Sequence, residues 1–285
     1  MNAGQSLITN LLTLVLVVVV IFFVVGVNLS FEGKPWFLKD TQAVVMQDIL
    51  AEEDKSVVEN EPEETLPFYP GERLTYGVKL KEMRIGSAVL TFLGETDLDG
   101  RPAYFITFDT FTPYFRDSEK IYASKENFLP LRVSREIKRK VGFSTEIDEE
   151  YDQKEYKVKI RKKGILGTKT FTIDKSSEIH NAITVSYYYR TGQGFKENQK
   201  FSINLPTKEL ELVFKGKEKV STHFGQCRAY IFEGNPSSFK LWLKDDKNRT
   251  PLRIEDSNVF GYSLVLESVE QLEIDDVGSG IEEDR

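Results

Sequence analysis

"RLTYGVKL", Arg73 to Leu80, decides the fold. Leu74, Tyr76, Val78 and Leu80 alternate there with Arg73, Thr75, Gly77 and Lys79. A period of two places the first four on one face of an extended chain and the other four on the opposite face. That is the signature of a half-buried β-strand. The period continues toward the C-terminus through "GSAVLTFLGET", "PAYFITFDTF" and "EKIYAS", then "LRVSREIK", "FSTEIDEEY", "EYKVKIR" and "GTKTFTID". Six further runs follow, "KFSINLP", "LELVFKG", "CRAYIFEG", "FKLWLKDD", "PLRIED" and "GYSLVLESV". Asp99-Gly100 lies between two of these runs and predicts a tight hairpin. Short strands parted by turns at intervals of roughly 8–12 residues predict an all-β domain over residues 67–270. Its antiparallel sheet is expected to curl into a barrel or sandwich.

One segment breaks the period. "SSEIHNAITVSYYYRTG" offers Ser176 or Ser177 as an N-cap, Glu178 in the first turn and Gly192 past the end. Ile179, Ala182, Ile183, Ser186 and Tyr187 would then share one face, which predicts a single helix packed on or in the sheet.

Ahead of the strands the character changes. Leu11 to Val27, "LLTLVLVVVVIFFVVGV", carries no charge. About 20 apolar residues cross a bilayer core of roughly 30 Å as a helix. The run is longer than the apolar stretch of a cleaved leader and no Ala-x-Ala follows it, so residues 1–30 are expected to be an uncleaved transmembrane anchor. Residues 31–66 read as a juxtamembrane helix, "TQAVVMQDILAEE", and then an acidic flexible tether, "EDKSVVENEPEET". Residues 271–285 form an acidic tail. Lys34 and Lys39 follow the apolar run and no Lys or Arg precedes it, which by itself would keep the bulk of the chain in the cytoplasm.

The lead-in "PFYPGERLTYGVKL", with "IGSAVLTF" after it, resembles the start of the DUF3108 family, a bacterial domain family of unknown function. "AITVSYYYR", "LWLKDDKNRTPLRI" and "GYSLVLESV" agree with it in order, so the likeness spans roughly Pro67 to Val269. Its members are mostly exported, with an antiparallel β architecture. The resemblance therefore implies a β domain on the periplasmic or extracytoplasmic side of the bacterial inner membrane. It brings no catalytic residue with it.

The lead-in is then a domain start. Pro67 and Pro70 hold the chain extended and Gly71 lets it turn. Phe68 and Tyr69 are expected to plug the end of the barrel, and Glu72 and Arg73 to pair locally.

Composition narrows the chemistry. The net charge of −7 over 285 residues argues against a dedicated nucleic-acid binder. One cysteine, Cys227, excludes an internal disulfide and any multi-cysteine metal site. The two histidines, His180 and His223, complete no triad, no Gly-x-Ser-x-Gly elbow exists, and no cofactor is expected. Asp245 and Asp246 in "KDDKNR" are the carboxylate pair that a hydrolase-like alternative would use.

The stretch that points to contact is "KEYKVKIRKKGILGTK". Lys157, Lys159 and Arg161 alternate with Tyr156, Val158 and Ile160, so one strand face reads as cationic. Lys162 and Lys163 flank an apolar tip, Ile165-Leu166. Cations around exposed apolar side chains suit an anionic bilayer surface; lysines also blunt sheet edges. The expected function is thus non-enzymatic: a membrane-anchored envelope module that binds or scaffolds against an amphiphile, a lipid or an envelope polymer.

Overall fold

In a computed structural model of the chain, residues 66–192, 194–235, 239–256 and 262–273 are described. The expected anchor, the tether up to residue 65 and the tail beyond Glu273 lie outside them. No helix among the described residues is long and apolar enough to cross a membrane.

Each of the fourteen alternating runs forms a strand: β1 Glu72–Leu80, β2 Met83–Leu98, β3 Arg101–Phe111, β4 Phe115–Ser124, β5 Pro130–Arg139, β6 Thr145–Asp152 and β7 Lys157–Gly164. Then come β8 Gly167–Asp174, β9 Lys200–Asn204, β10 Glu209–Thr222, β11 Gly225–Asn235, β12 Phe239–Lys244, β13 Pro251–Asp256 and β14 Tyr262–Gln271. They build one antiparallel sheet, ordered β8-β7-β6-β5-β4-β3-β2-β1-β14-β13-β12-β11-β10-β9. The chain is a run of hairpins closed back on itself by the β1–β14 pair, Glu72 opposite Gln271 and Leu80 opposite Tyr262. The sheet is not sealed, because β8 and β9 remain as edges.

The sheet curls strongly. In a flat sheet β14 and β4 would stand about 19 Å apart, four spacings of ~4.8 Å. Yet the Tyr262 hydroxyl of β14 lies within the fields of Asp117 on β4 and Arg135 on β5. Leu74, Tyr76 and Val78 face the inside of that curl and are fully buried, as the period of two requires. Two predicted turns are also in place. Asp99 and Gly100 both take positive φ, which matches the right-handed twist of the flanking strands. Gly71 has φ +88°, and a Cβ there would sit 2.3 Å from the Leu272 carbonyl oxygen.

The helix is shorter than predicted. α1 spans Thr184–Thr191, eight residues. Neither Ser176 nor Ser177 caps it, because the backbone of 179–180 is already committed elsewhere. Ile179 N–H donates to Gln153 Oε1 (2.9 Å), its carbonyl accepts from Gln153 Nε2 (2.8 Å), and His180 N–H donates to the Asn204 carbonyl (2.7 Å). Asn181 takes over at the helix start, where its Oδ1 accepts from the N–H groups of Ile183 (2.8 Å) and Thr184 (3.3 Å).

α1 fills one half of the curl. Val185 and Tyr189 join Ile203, Leu205, Leu212, Phe214, Phe232, Leu241 and Leu243 in a buried cluster. Tyr187 meets Phe68 edge-on at 4.9 Å, and Phe68 meets Phe92 at 4.8 Å. The lead-in therefore plugs the interior with Phe68 alone; Tyr69 stays outside, 53% exposed. Nor does Glu72 pair with Arg73. It is buried, and it receives Arg190 of α1 through two bonds of 2.5 and 2.7 Å. A strand-start carboxylate on the inner face cannot reach its neighbour on the outer face.

Candidate functional site

The basic hairpin β7–β8 ends the sheet, with β8 at the edge. On its outer face, Lys157, Lys159, Arg161 and Lys163 stand in register with Asp152, Glu150, Asp148 and Glu146 of β6. Three of the four meet the carboxylate opposite: Lys159–Glu150 at 3.5 Å, Arg161–Asp148 at 2.7 Å and Lys163–Glu146 at 3.1 Å. Lys157 instead lies 3.6 Å from Glu155 and 4.0 Å from Asp174. The strand face that reads as cationic in isolation is thus a charge-matched ladder. The sequence hides this, because the acids belong to another strand.

Lys162 departs from that group. It points to the inner face and stands directly opposite Lys169 of β8. Register extends this row across the sheet through Ile147 on β6, Arg135 on β5 and Glu119 on β4. Among the described residues neither Lys162 nor Lys169 has an ion pair. Burial, then the charges of Arg139, Lys169 and Arg135, hold the Lys162 ammonium below the usual lysine range. Arg139 itself donates to the Phe143 carbonyl (2.7 Å) and Thr145 Oγ1 (3.0 Å).

The tip residues fall into a larger pattern. Successive antiparallel hairpins return to the same end of a sheet at every second turn. The β1–β2, β3–β4, β5–β6 and β7–β8 turns therefore share one rim. Each shows exposed apolar groups: Met83, then Phe111 and Tyr114, then Val141 (86%) and Phe143 (61%), then Ile165 (61%) and Leu166 (92%). Lys140, Lys163 and Lys169 lie at or beside the last two turns. The opposite end carries Asp99-Gly100, Lys125-Glu126-Asn127 and Lys154-Glu155 on the same strands. The chain enters β1 at that polar end.

Below the rim lies a charge cluster that strand patterning did not single out. Arg135 donates to both oxygens of buried Asp117, from Nε at 2.8 Å and from Nη2 at 2.5 Å, and its Nε is 3.4 Å from Glu119. Tyr151 donates to Glu149 beside them. Burial pushes Glu119 up to about 7; Arg135 works against this, and Asp117 and Glu149 add to it. Burial likewise raises Asp117 and Glu149. The signal available was a charge at an inward position in each of three consecutive predicted strands: Glu119, Arg135 and Glu149.

Asp245 and Asp246 do not converge. Asp245 accepts from Lys217 Nζ (2.8 Å) and lies 3.5 Å from Arg228. Asp246 pairs with Lys244 (2.8 Å) and accepts from the N–H groups of Asn248 and Arg249 in the β12–β13 turn. A groove of about 310 Å³ on the outer face crosses β3, β4 and β5 and is lined by Asp109, Arg116, Ser118, Lys120, Glu136 and Lys138 among others. Its charges pair with one another, Arg116 with Asp109 (3.5 Å) and Lys138 with Glu136 (3.0 Å). Among the described residues no group of three or more His, Cys, Asp or Glu side chains could hold a metal ion.

Comparison with known proteins adds a family. The model of DUF3108, described as a protein of unknown function, matches residues 73–267. No curated protein matches the chain. Among solved structures, a β-barrel-like protein of the domain of unknown function DUF1849 from Brucella abortus is 9% identical. The match covers 71% of this chain and 98% of that one, with a TM-score of 0.47. A protein with a YmcC-like fold from Bacteroides fragilis is 12% identical over 72% of this chain and 98% of its own, with a TM-score of 0.25.

Proposed function

This chain belongs to the DUF3108 family, whose function is unknown, and from that premise we propose that it is a non-enzymatic, membrane-anchored envelope protein. Residues 1–30 anchor it in the inner membrane, and the β domain stands on the extracytoplasmic side. There it binds or scaffolds against an anionic amphiphile, a lipid surface before an envelope polymer, through the rim of hairpin turns. The observation that carries this reading is the placement of exposed apolar side chains at all four turns that β1 to β8 make at one end, Leu166 and Val141 the most exposed of them. Monomeric proteins seldom leave large apolar patches in water without a use for them. Cations set among apolar tips suit an anionic interface: each Lys or Arg near the surface adds about 1 kcal/mol, and apolar tips add a part that salt does not screen.

The test uses the full chain in zwitterionic nanodiscs, which occupy the anchor, and measures its co-sedimentation with separate vesicles. Vesicles rich in anionic lipid should capture the protein, and zwitterionic ones should not. Raising salt should weaken capture, since exposed charges are screened beyond about 8 Å at physiological ionic strength. Replacing Val141, Phe143, Ile165 and Leu166 together by Ser should remove the salt-resistant remainder. Undiminished capture by that variant would exclude the rim as the contact.

A further inference from the structure

The cross-strand row Glu119–Arg135–Ile147–Lys162–Lys169 is unbalanced along its length. At the β4–β5 end, Arg135 is held by Asp117 and Glu119. At the edge, two lysines face each other with no carboxylate between them. Like charges directly opposite on neighbouring strands destabilise a sheet. The outer face of the same hairpin shows that this chain can place an acid against a lysine where stability calls for one. Beside that ladder, among the described residues, these inner-face cations have no carboxylate to match them, which leaves them open to a counter-charge from a ligand.

We propose that Lys162 and Lys169 form a binding site for the anionic head group of an amphiphile. The chemistry is that of a phosphate or carboxylate: one anion accepting hydrogen bonds from two ammonium groups. The surroundings favour an amphiphile over a bare anion. Phe171 lies two positions from Lys169 on the same inner face of β8 and is partly exposed, and Ile165 and Leu166 project from the turn between the two lysines. Because β8 is an edge strand with most of its length exposed, a ligand reaches the row from the side without parting paired strands. An anion there would relieve the Lys162–Lys169 repulsion and neutralise a lysine that burial already disfavours in its charged form.

The proposal rests on the rim reading, and the two fail separately. The full chain in zwitterionic nanodiscs is titrated with monododecyl phosphate below its micelle concentration, with dodecyl maltoside as the neutral counterpart and with inorganic phosphate as the bare anion. Monododecyl phosphate should bind at least tenfold more tightly than either. Lys162→Gln with Lys169→Gln should lower its affinity by tenfold or more, and Lys157→Gln with Lys159→Gln should leave it within about twofold. Thermal unfolding of the Lys162→Gln, Lys169→Gln protein should match or exceed the wild type, since a repulsion is removed, so lost binding cannot be blamed on lost fold. Equal effects of the two double variants, or equal binding of monododecyl phosphate and dodecyl maltoside, would overturn the site. Inorganic phosphate binding as tightly as monododecyl phosphate would overturn the amphiphile as its ligand. Vesicle capture that survives loss of this titration leaves the rim standing without the site.

Discussion

Arg190 is buried inside this sheet and Arg135 nearly so, and they keep different company. Arg190 has one carboxylate, Glu72, held by two bonds; its Nε donates to the Asn248 carbonyl at 2.9 Å, and Phe68 lies under the guanidinium at 4.5 Å. Arg135 has three carboxylates around it, Asp117, Glu119 and Glu149, one of them pushed up to about 7 by burial. The first arrangement is closed, one charge for one charge, and it ties α1 to the start of β1 and to the β12–β13 turn. The second carries more acid than its cation neutralises, so near neutral pH it holds a proton. A buried charge can thus lock a fold or make it responsive, and the count of partners decides which.

The locking role is the easier to break. Arg190→Met keeps much of the volume and leaves Glu72 buried without its partner. Removing one member of a buried pair costs about 3–5 kcal/mol. For a domain of this size that lowers Tm by roughly 6–20 °C, read by circular dichroism. Adding Glu72→Leu should recover most of the loss, because well-packed apolar replacements of buried pairs are often neutral. If Arg190→Met melts with the wild type, the pair does not fasten the helix to the sheet.

The responsive role predicts a pH dependence of definite sign. Glu119 ionises near 7 in the folded chain and near ~4.3 when unfolded. Between those values the folded state holds a proton that the unfolded state has released, so stability falls as pH rises from about 4.3 to 7 and levels off above. Glu119→Gln removes the titration: it should flatten that slope and raise stability at pH 8, by an amount on the order of 3–4 kcal/mol. Parallel melting curves for the two proteins across this range would mean that the proton sits elsewhere in the cluster.

This contrast also marks how far the sequence could be read. The fourteen strands were legible because alternation is local: Leu74, Tyr76 and Val78 announce their own burial. The length of α1 was not, because Gln153 and Asn204, far away in the chain, take the backbone groups that a longer helix would have used. The hairpin was half legible. Its lysines and its Ile165-Leu166 tip stand out in a single stretch, but whether a lysine is neutralised depends on register with β6 and β8. A one-residue step from Arg161 to Lys162 exchanges a carboxylate partner for a facing cation. The rim was invisible for the same reason, since its four turns come together only when the hairpins are stacked.

The two faces of β7 give the finest test of that point. Lys159 and Glu150 form an exposed ladder pair at 3.5 Å, and such pairs contribute only about 0.2–1 kcal/mol. A double-mutant cycle of Lys159→Gln and Glu150→Gln, followed by denaturant unfolding at low salt, should return a coupling in that range with a stabilising sign. High salt should shrink it toward zero. The corresponding cycle of Lys162→Gln and Lys169→Gln should return a coupling of the opposite sign, because these two repel. Salt should shrink this coupling as well, and saturating monododecyl phosphate should reverse it if one head group bridges both ammonium groups. Couplings of the same sign on both faces would show that the inner lysines find a counter-charge within the chain, and the distinction between a matched outer face and an unmatched inner one would be lost.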